Sequence, residues 1–314
     1  MIGEEDDLRR VSPRAVLSEI ANAIPEDCRA NIIVVGSLAA GYYFFRGNDK
    51  LVVRTKDADC MLSPRIEAIS KGRQIAERLF SAGWQIREDE RWSEPGTAST
   101  PTRDLPALRL HPPGNTDWFI ELLAVPESPA KEGTTRSRLE TTRGHFGLPS
   151  FRFLALANHT PIELDIGIRI GRPSLMALAN LLEHPEIGTA DMSGKIGGRV
   201  IKRSNKDLGR VLAISWLTLG EDENALETMA TEWKETLSSC FPEDWGDLAS
   251  HVGAGLRSLL ESPNDLEEAH HTCVYGLLAS RPPTVEMLRA TGLRLLSDVV
   301  LPLEALGGPR KAEN

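Results

Sequence analysis

A short run of apolar, mostly β-branched residues, NIIVVG at positions 31–36, constrains the fold of this 314-residue chain more than any other feature. Continuous apolar runs of this length are typical of strands that are buried on both faces of a sheet. The residues that follow, SLAAGYYFF (37–45), predict a helix that opens with Ser37. A buried strand that leads directly into a helix favours an α/β layer arrangement with flanking helices.

Further helices and extended segments are predicted on both sides of this unit. Residues 14–24 predict a helix, and LVVRTKDADCML (51–62) predicts an extended segment that is stopped by Ser63-Pro64. Another helix is expected next, with Gly83 as a natural stop just past its end. Its apolar residues recur at helical spacing and are Ile66, Ile69, Ile75, Leu79 and Phe80.

The remainder of the first half is predicted to be mainly extended. The strand-like segments cover residues 85–92, 105–112, 117–125, 151–157 and 162–170. Between them, the stretch from Pro126 to His145 is polar and rich in Thr and Arg. Such a composition predicts a surface loop or an insertion.

Helices alone are predicted from about residue 173 onwards. Three apolar helix faces can be recognised by their spacing: Leu208, Val211, Leu212, Trp216 and Leu219; Leu226, Met229, Trp233 and Leu237; and Leu248, Val252, Leu256, Leu259 and Leu260. The sequence therefore predicts an α/β domain over residues 1–172, built on a mixed sheet with flanking helices. A helical bundle over residues 173–314 is expected to follow.

Composition excludes several classes of protein. The apolar runs are too short to cross a bilayer, and the acidic, polar start MIGEEDDLRR does not resemble a secretory signal. The four cysteines form no CxxC pair, which indicates reduced thiols and a cytoplasmic protein. A net charge of −9 argues against wholesale coating of nucleic acid, although it allows a local basic patch.

The residues that indicate chemistry lie between positions 34 and 62. Gly36 permits a close backbone approach, and the N–H groups of a helix that starts at Ser37 can receive a phosphate. Asp57 and Asp59 are two residues apart on a predicted strand, so both carboxylates point to one face. Paired carboxylates at this spacing predict a site for a hard cation such as Mg²⁺.

A third carboxylate from a neighbouring strand would complete a two-metal site of the kind that grips a triphosphate. Glu121 is the first candidate because it is an acid within the apolar segment FIELL. An ionised side chain there is costly unless it reaches a cation or a water-filled cleft. Asp165 in IELDIGI is the second candidate for the same reason.

These residues carry a family resemblance. The Gly36-Ser37 pair followed by RTKDAD (54–59) resembles the nucleotidyltransferase superfamily that includes DNA polymerase β, and within it the AbiEii-type toxins. The resemblance implies that Gly36 and Ser37 hold the triphosphate of an NTP and that the two aspartates hold Mg²⁺. A later, weaker match, KRSNKDLGRVL (202–212), implies that Lys206 and Asp207 assist from the helical part.

The same resemblance implies partners. It suggests transfer of a nucleoside monophosphate to tRNA, another RNA or a protein side chain, and an antitoxin protein as a binding partner. Two alternatives stay open: transfer to a small molecule of the aminoglycoside type, and an inactive homologue that only binds a nucleotide or a partner. Two departures from the family imply an altered substrate or lost activity: the helix expected at residues 174–184 lacks the lysine that the family usually carries, and the third carboxylate is Glu where the wider superfamily more often has Asp.

A basic cluster precedes the helical part and has two interpretations. Its members are Lys195, Arg199, Lys202, Arg203, Lys206 and Arg210. They indicate either a solvated helix face or a patch for triphosphate or RNA phosphates. Arg54 and Lys56 share the strand face opposite the aspartates, so they are expected to support the fold or to be solvated.

Overall fold

A mixed β-sheet with helices packed around it forms the N-terminal part of the computed structural model, which describes residues 10–46, 48–87, 94–127, 134–187, 190–192 and 194–307. The strands are β1 (Arg10–Val11), β2 (Ile32–Val35), β3 (Val53–Arg54), β4 (Asp57–Leu62), β5 (Gln85–Ile86), β6 (Arg109–His111), β7 (Phe119–Ala124), β8 (Thr134–Thr141), β9 (Gly144–Phe151), β10 (Ile162–Glu163) and β11 (Arg169–Ile170). The main sheet has the order β10-β11-β2-β4-β7-β6-β5. Within the described residues this confirms the mixed α/β sheet that the sequence predicts.

Helices follow or flank these strands. They are α1 (Pro13–Ala23), α2 (Glu26–Arg29), α3 (Gly36–Phe45), α4 (Arg65–Ser81), α5 (Leu154–Ala157), α6 (Pro173–Ile187), α7 (Arg203–Glu221), α8 (Leu226–Cys240), α9 (Trp245–His251), α10 (Ala254–Glu261), α11 (Pro263–Val274), α12 (Val285–Leu295) and α13 (Leu301–Leu306). A 3₁₀ turn covers Thr102–Asp104, and a π-helical turn covers Leu296–Val300. Among the described residues, none of these helices has both the length and the apolar character that a bilayer-spanning segment requires.

The central strands have the burial that the apolar pattern predicts. All four residues of β2 are buried, and β4 pairs with β2 on one side and with β7 on the other. The predicted helix at 14–24 is confirmed as α1, whose start is capped by a hydrogen bond from the Ala15 N–H to the Ser12 hydroxyl. Helix α4 is confirmed as well, and Gly83 follows it with a φ of +87°. Ile66 is 91% exposed, so the apolar face of α4 begins later than predicted.

The predicted loop between Pro126 and His145 is wrong over its second half. Residues 134–151 form the hairpin β8–β9, joined by a two-residue turn before Gly144. Three of the eight residues of β8 are β-branched threonines, which pack well on a pleated surface, and Leu139 on the same strand is completely buried. The polar composition of this stretch therefore led to the prediction of a loop where two paired strands lie. The first part of the stretch includes residues 128–133, which lie outside the described residues.

Three other predictions of elements are corrected. Residues 154–157, expected to be extended, form the short helix α5, because Leu and Ala are strong helix formers. The expected strand at 162–170 is two short strands around a turn that contains Gly167, with a φ of +81°. The third apolar helix face, 248–260, is shared by α9 and α10, which are separated at Gly253.

Helices replace strands after Ile170, as the periodicity predicts. Helix α7 packs on both α6 and α11, and it also contacts α3 from the first half of the chain. The buried hydrophobic residues of the two halves form one continuous cluster. Helix α7 is thereby held against α3 and the first half of the chain.

Candidate active site

Gly36 connects the end of β2 to the first turn of α3. Its φ of +81° lies in the left-handed region, and a Cβ atom there would be 3.3 Å from Oδ2 of Asp59. Both observations explain why the position suits glycine. The Gly36 N–H donates to the sulfur of Met176 at 3.3 Å, and the half-buried Ser37 follows in the same turn. The predicted phosphate-binding turn therefore lies directly beside one of the predicted metal ligands.

Asp57 and Asp59 lie at the start of β4, with Ala58 buried between them. Both aspartates are half-buried, and because they are two residues apart on a strand their carboxylates share one face. Asp59 is paired with Val35 of β2 on one side and with Glu121 of β7 on the other. Strand pairing thus aligns the end of β2, Asp59 and Glu121 in one row across the sheet, and Asp57 lies two residues away on the same strand face.

The pKa of Asp57 reflects both burial and nearby cations. Burial alone would raise it, but the charge of Lys206, a hydrogen bond from Thr55 and the charge of Arg210 lower it below the ordinary value. The Thr55 hydroxyl donates to Oδ1 of Asp57 at 2.6 Å. Asp57 is therefore the member of the pair that stays ionised near neutral pH.

Asp59 is shifted in the opposite direction. Burial, the charge of Asp57 and the charge of Glu121 together raise the pKa of Asp59 to about 8, although Arg210 and Lys206 oppose the shift. A carboxyl whose pKa is raised by burial and by two neighbouring carboxylates indicates a place where a cation would be favourable. The shift also indicates that Glu121 lies within electrostatic reach of Asp59.

Glu121 is held by an arginine that the sequence did not indicate. Nε of Arg109 on β6 lies 2.6 Å from Oε2 of Glu121, and the two residues are direct partners in the β6–β7 pairing. Asp165, the second candidate, is elsewhere: its carboxylate is 67% exposed, accepts from the Tyr42 hydroxyl at 2.9 Å and lies 3.8 Å from Arg14. The structure therefore brings Glu121, and not Asp165, to the aspartate pair.

Helix α7 supplies positive charge to the site. Lys206 and Arg210 are four residues apart, hence on one face of the helix, and both act on the carboxylates of Asp57 and Asp59. Asp207 takes another direction: it is buried, lies 3.9 Å from Arg210 and interacts with His184. The charge of Lys206 thus acts at the predicted site, whereas Asp207 contacts Arg210 and interacts with His184.

The remaining basic residues separate into two groups. Nζ of Lys202 lies 2.6 Å from Asp265, which also accepts from Asn205, so these contacts join the start of α7 to α11. The other group is exposed and consists of Lys195, Arg199 and Arg203, which we call the basic patch. The predicted cluster therefore divides into three sets: Lys206 and Arg210, whose charges act on the carboxylates, Lys202 in helix packing, and the exposed basic patch.

Arg54 and Lys56 lie outside the row of carboxylates. The guanidinium of Arg54 stacks 4.7 Å from the ring centroid of Tyr275, and the backbone carbonyl of Lys56 accepts from the N–H of Phe119 at 2.7 Å. These contacts join β3 to the helical part and the start of β4 to β7. They are consistent with the supporting role expected from the sequence.

The residues present fit a magnesium ion through its usual chemistry. Within the part of the chain that the structure describes, no three His, Cys, Asp or Glu side chains are grouped so as to hold one metal. Mg²⁺, however, commonly uses only one or two protein carboxylates and completes its shell with water and substrate phosphates. Asp57 and Asp59 provide those two carboxylates on one face. The donor set consists entirely of oxygen, which suits this ion.

Comparisons with models of protein families, with curated proteins and with solved structures found no match for this chain.

Proposed function

We propose that the chain is a Mg²⁺-dependent nucleotidyltransferase, which transfers a nucleoside monophosphate from an NTP to an acceptor hydroxyl and releases pyrophosphate. The observation that supports this most directly is the position of Gly36 against Asp59, with Asp57 on the same strand face and Lys206 approaching from α7. A helix start, two carboxylates and a lysine are the groups needed to bind a triphosphate with its cation.

In the proposed reaction, the acceptor oxygen bonds to the α-phosphorus while the bond from that phosphorus to the pyrophosphate oxygen breaks. Asp57 and Asp59 hold Mg²⁺, which when bound would neutralise charge on the triphosphate. The N–H of Ser37 binds a phosphate oxygen at the start of α3, and the Gly36 N–H exchanges its hydrogen bond to the Met176 sulfur for one to phosphate. Catalysis then rests mainly on positioning and on charge neutralisation.

Three further side chains have assigned roles. Lys206 and Arg210 neutralise the phosphates that face α7, which is consistent with their action on the aspartate pair. Glu121 completes the carboxylate row and helps to take the proton of the acceptor hydroxyl. Arg210 in turn lies 3.9 Å from Asp207, which restricts its side chain.

For the acceptor we favour tRNA or another RNA. The basic patch is exposed and includes Arg203, one turn before Lys206 on the same helix. Such a surface attracts a polyanion and repels a cationic small molecule such as an aminoglycoside. The proposal of an RNA acceptor therefore depends only on the charge of the basic patch and is independent of the carboxylate site.

The test is pyrophosphate release and label transfer with four labelled NTPs, Mg²⁺ and either total cellular RNA or an aminoglycoside. Asp59→Asn should lower transfer at least about 100-fold, because it removes charge that is needed only when phosphates and metal are bound. Asp165→Asn is the matched control, since that carboxylate is exposed and engaged with Tyr42, and it should retain wild-type transfer. Equal activity of Asp59→Asn and wild type would disprove the proposal, as would a wild-type protein that transfers no nucleotide.

A further inference from the structure

Arg109 forms an ion pair with Glu121, which is the third carboxylate of the proposed site. The Nε–Oε2 distance of 2.6 Å to Glu121 is that of a short, charge-assisted hydrogen bond. Both side chains are largely shielded, at 30% exposure for Arg109 and 14% for Glu121. A pair with this geometry and burial is costly to break, unlike an ion pair in open solvent.

Strand pairing places Glu121 between Asp59 on β4 and Arg109 on β6. Direct partners across a sheet point to the same face, so Asp59, Glu121 and Arg109 form one continuous row. When Asp59 is ionised it repels the Glu121 carboxylate from one side, while Arg109 attracts that carboxylate from the other. Without a cation at the aspartates, Arg109 therefore holds Glu121 whether Asp59 is protonated or ionised.

A cation at Asp57 and Asp59 would change this balance, because it would attract Glu121 from the side opposite Arg109. We propose that Arg109 is a positioning residue that withholds Glu121 from the metal until the ion pair opens. This inference rests on the proposed function, since it assumes a metal at the aspartate pair. Ion and arginine compete for one carboxylate, so each weakens the hold of the other on it.

The competition can be measured without nucleotide or activity. Mn²⁺, which accepts the same oxygen ligands, is titrated into the protein and free Mn²⁺ is followed by electron paramagnetic resonance. Mn²⁺ affinity is compared in a double-mutant cycle of four proteins: wild type, Arg109→Gln, Glu121→Gln and the double variant. With Glu121 present, Arg109→Gln should tighten Mn²⁺ binding about tenfold. In the Glu121→Gln background, the same change should tighten it less than about twofold, because no contested carboxylate remains.

Two controls separate the competition from a general effect of charge. Arg103→Gln removes an arginine whose side chain is 87% exposed, and it should leave Mn²⁺ affinity unchanged. If Arg109→Gln does not fold, Arg109→Lys enters the cycle instead and should tighten binding about threefold, since lysine lacks the guanidinium fork. Thermal unfolding of every variant checks the fold.

The outcomes distinguish this inference from the function on which it rests. Equal tightening by Arg109→Gln in the presence of Glu121 and in the Glu121→Gln background would mean that Arg109 acts only through its charge, and would overturn the inference alone. Wild type that binds Mn²⁺ no better than Asp59→Asn would overturn the inference and the proposed metal site together.

Discussion

Asp59 bears the largest electrostatic cost among the residues of the site. Its carboxylate is partly removed from water, lies next to Asp57 and Glu121, and has a pKa raised to about 8. Asp57 avoids this cost because Thr55 and the cations of α7 stabilise its ionised form. Two aspartates of identical chemistry therefore differ in protonation through their surroundings, as is common where charge is arranged for a function.

The raised pKa predicts how stability changes with pH in the absence of divalent ions. The unfolded chain ionises Asp59 near pH 4, whereas the folded chain keeps the proton until about pH 8. Folding therefore takes up a proton between these values, and the free energy of unfolding falls as pH rises through them. The difference in this free energy between Asp59→Asn and wild type should grow by up to about 4 kcal/mol from pH 5 to pH 8.

Urea unfolding with a chelator present, at pH 5, 6, 7 and 8, measures this difference. Asp165→Asn, at an exposed carboxylate, is the control and should follow wild type at every pH. Because Asp57 and Asp59 titrate as a pair, the measured difference belongs to the pair. Parallel profiles of wild type and Asp59→Asn would contradict the assigned protonation.

At the scale of elements, α7 connects the carboxylates to the helical part. One of its faces carries Lys206 and Arg210 toward the aspartates, and another packs closely on α11. The close approach occurs at Gly209, where a Cβ atom would lie 2.8 Å from the carbonyl oxygen of Ala269 and nearer still to the Thr272 hydroxyl. The position of the two cations therefore depends on a glycine on a different face of the helix.

Gly209→Ala should separate α7 from α11 and lower the free energy of unfolding by about 1–3 kcal/mol, the usual cost of overpacking. Gly220 lies on the same helix, and a Cβ there would meet nothing within 4 Å. Gly220→Ala should therefore be neutral or stabilise by up to about 1 kcal/mol, through helix propensity. Urea unfolding of both variants gives the comparison, and equal effects would disprove the role of close packing at Gly209.

The sequence correctly predicted those elements whose structure depends on residues that are close together in the chain. The buried run of β2, the helical spacing in α1 and α4, and the same-face placement of Asp57 and Asp59 all follow from neighbours in sequence. The β8–β9 hairpin was missed because its strands are stabilised by pairing with each other and by packing of residues such as Leu139. Such cross-strand contacts leave little trace in composition.

At the scale of the whole molecule, the site is assembled from pieces that are distant in the chain. Glu121 could be predicted because an acid in an apolar strand stands out, whereas Arg109 on the polar border of a short strand does not. The contact between them depends on the register of β6 against β7, which no local pattern specifies. In the same way, the spacing of Lys206 and Arg210 indicates a shared face, but only helix packing decides what that face meets.

The basic patch is the surface to which the RNA acceptor is assigned. Lys195 and Arg199 lie around a turn closed by backbone hydrogen bonds between Ile196 and Arg199, and Arg203 begins α7. All three are exposed, while Lys202 between them pairs with Asp265. An anionic protein that receives RNA needs such a local positive surface, and this one lies next to the helix that reaches the carboxylates.

Neutralising Lys195, Arg199 and Arg203 together to Gln should therefore weaken RNA binding and reduce its dependence on salt. Each lost phosphate contact lowers the slope of log affinity against log salt by about one unit, so a decrease of about two to three units is expected. NTP binding should hardly change, since it is assigned to Gly36 and the aspartate pair. A control triple variant removes three exposed arginines elsewhere: Arg73, Arg78 and Arg103. If both triple variants gave the same slope as wild type, the patch would be a solvated surface, and a small-molecule acceptor would become the better proposal.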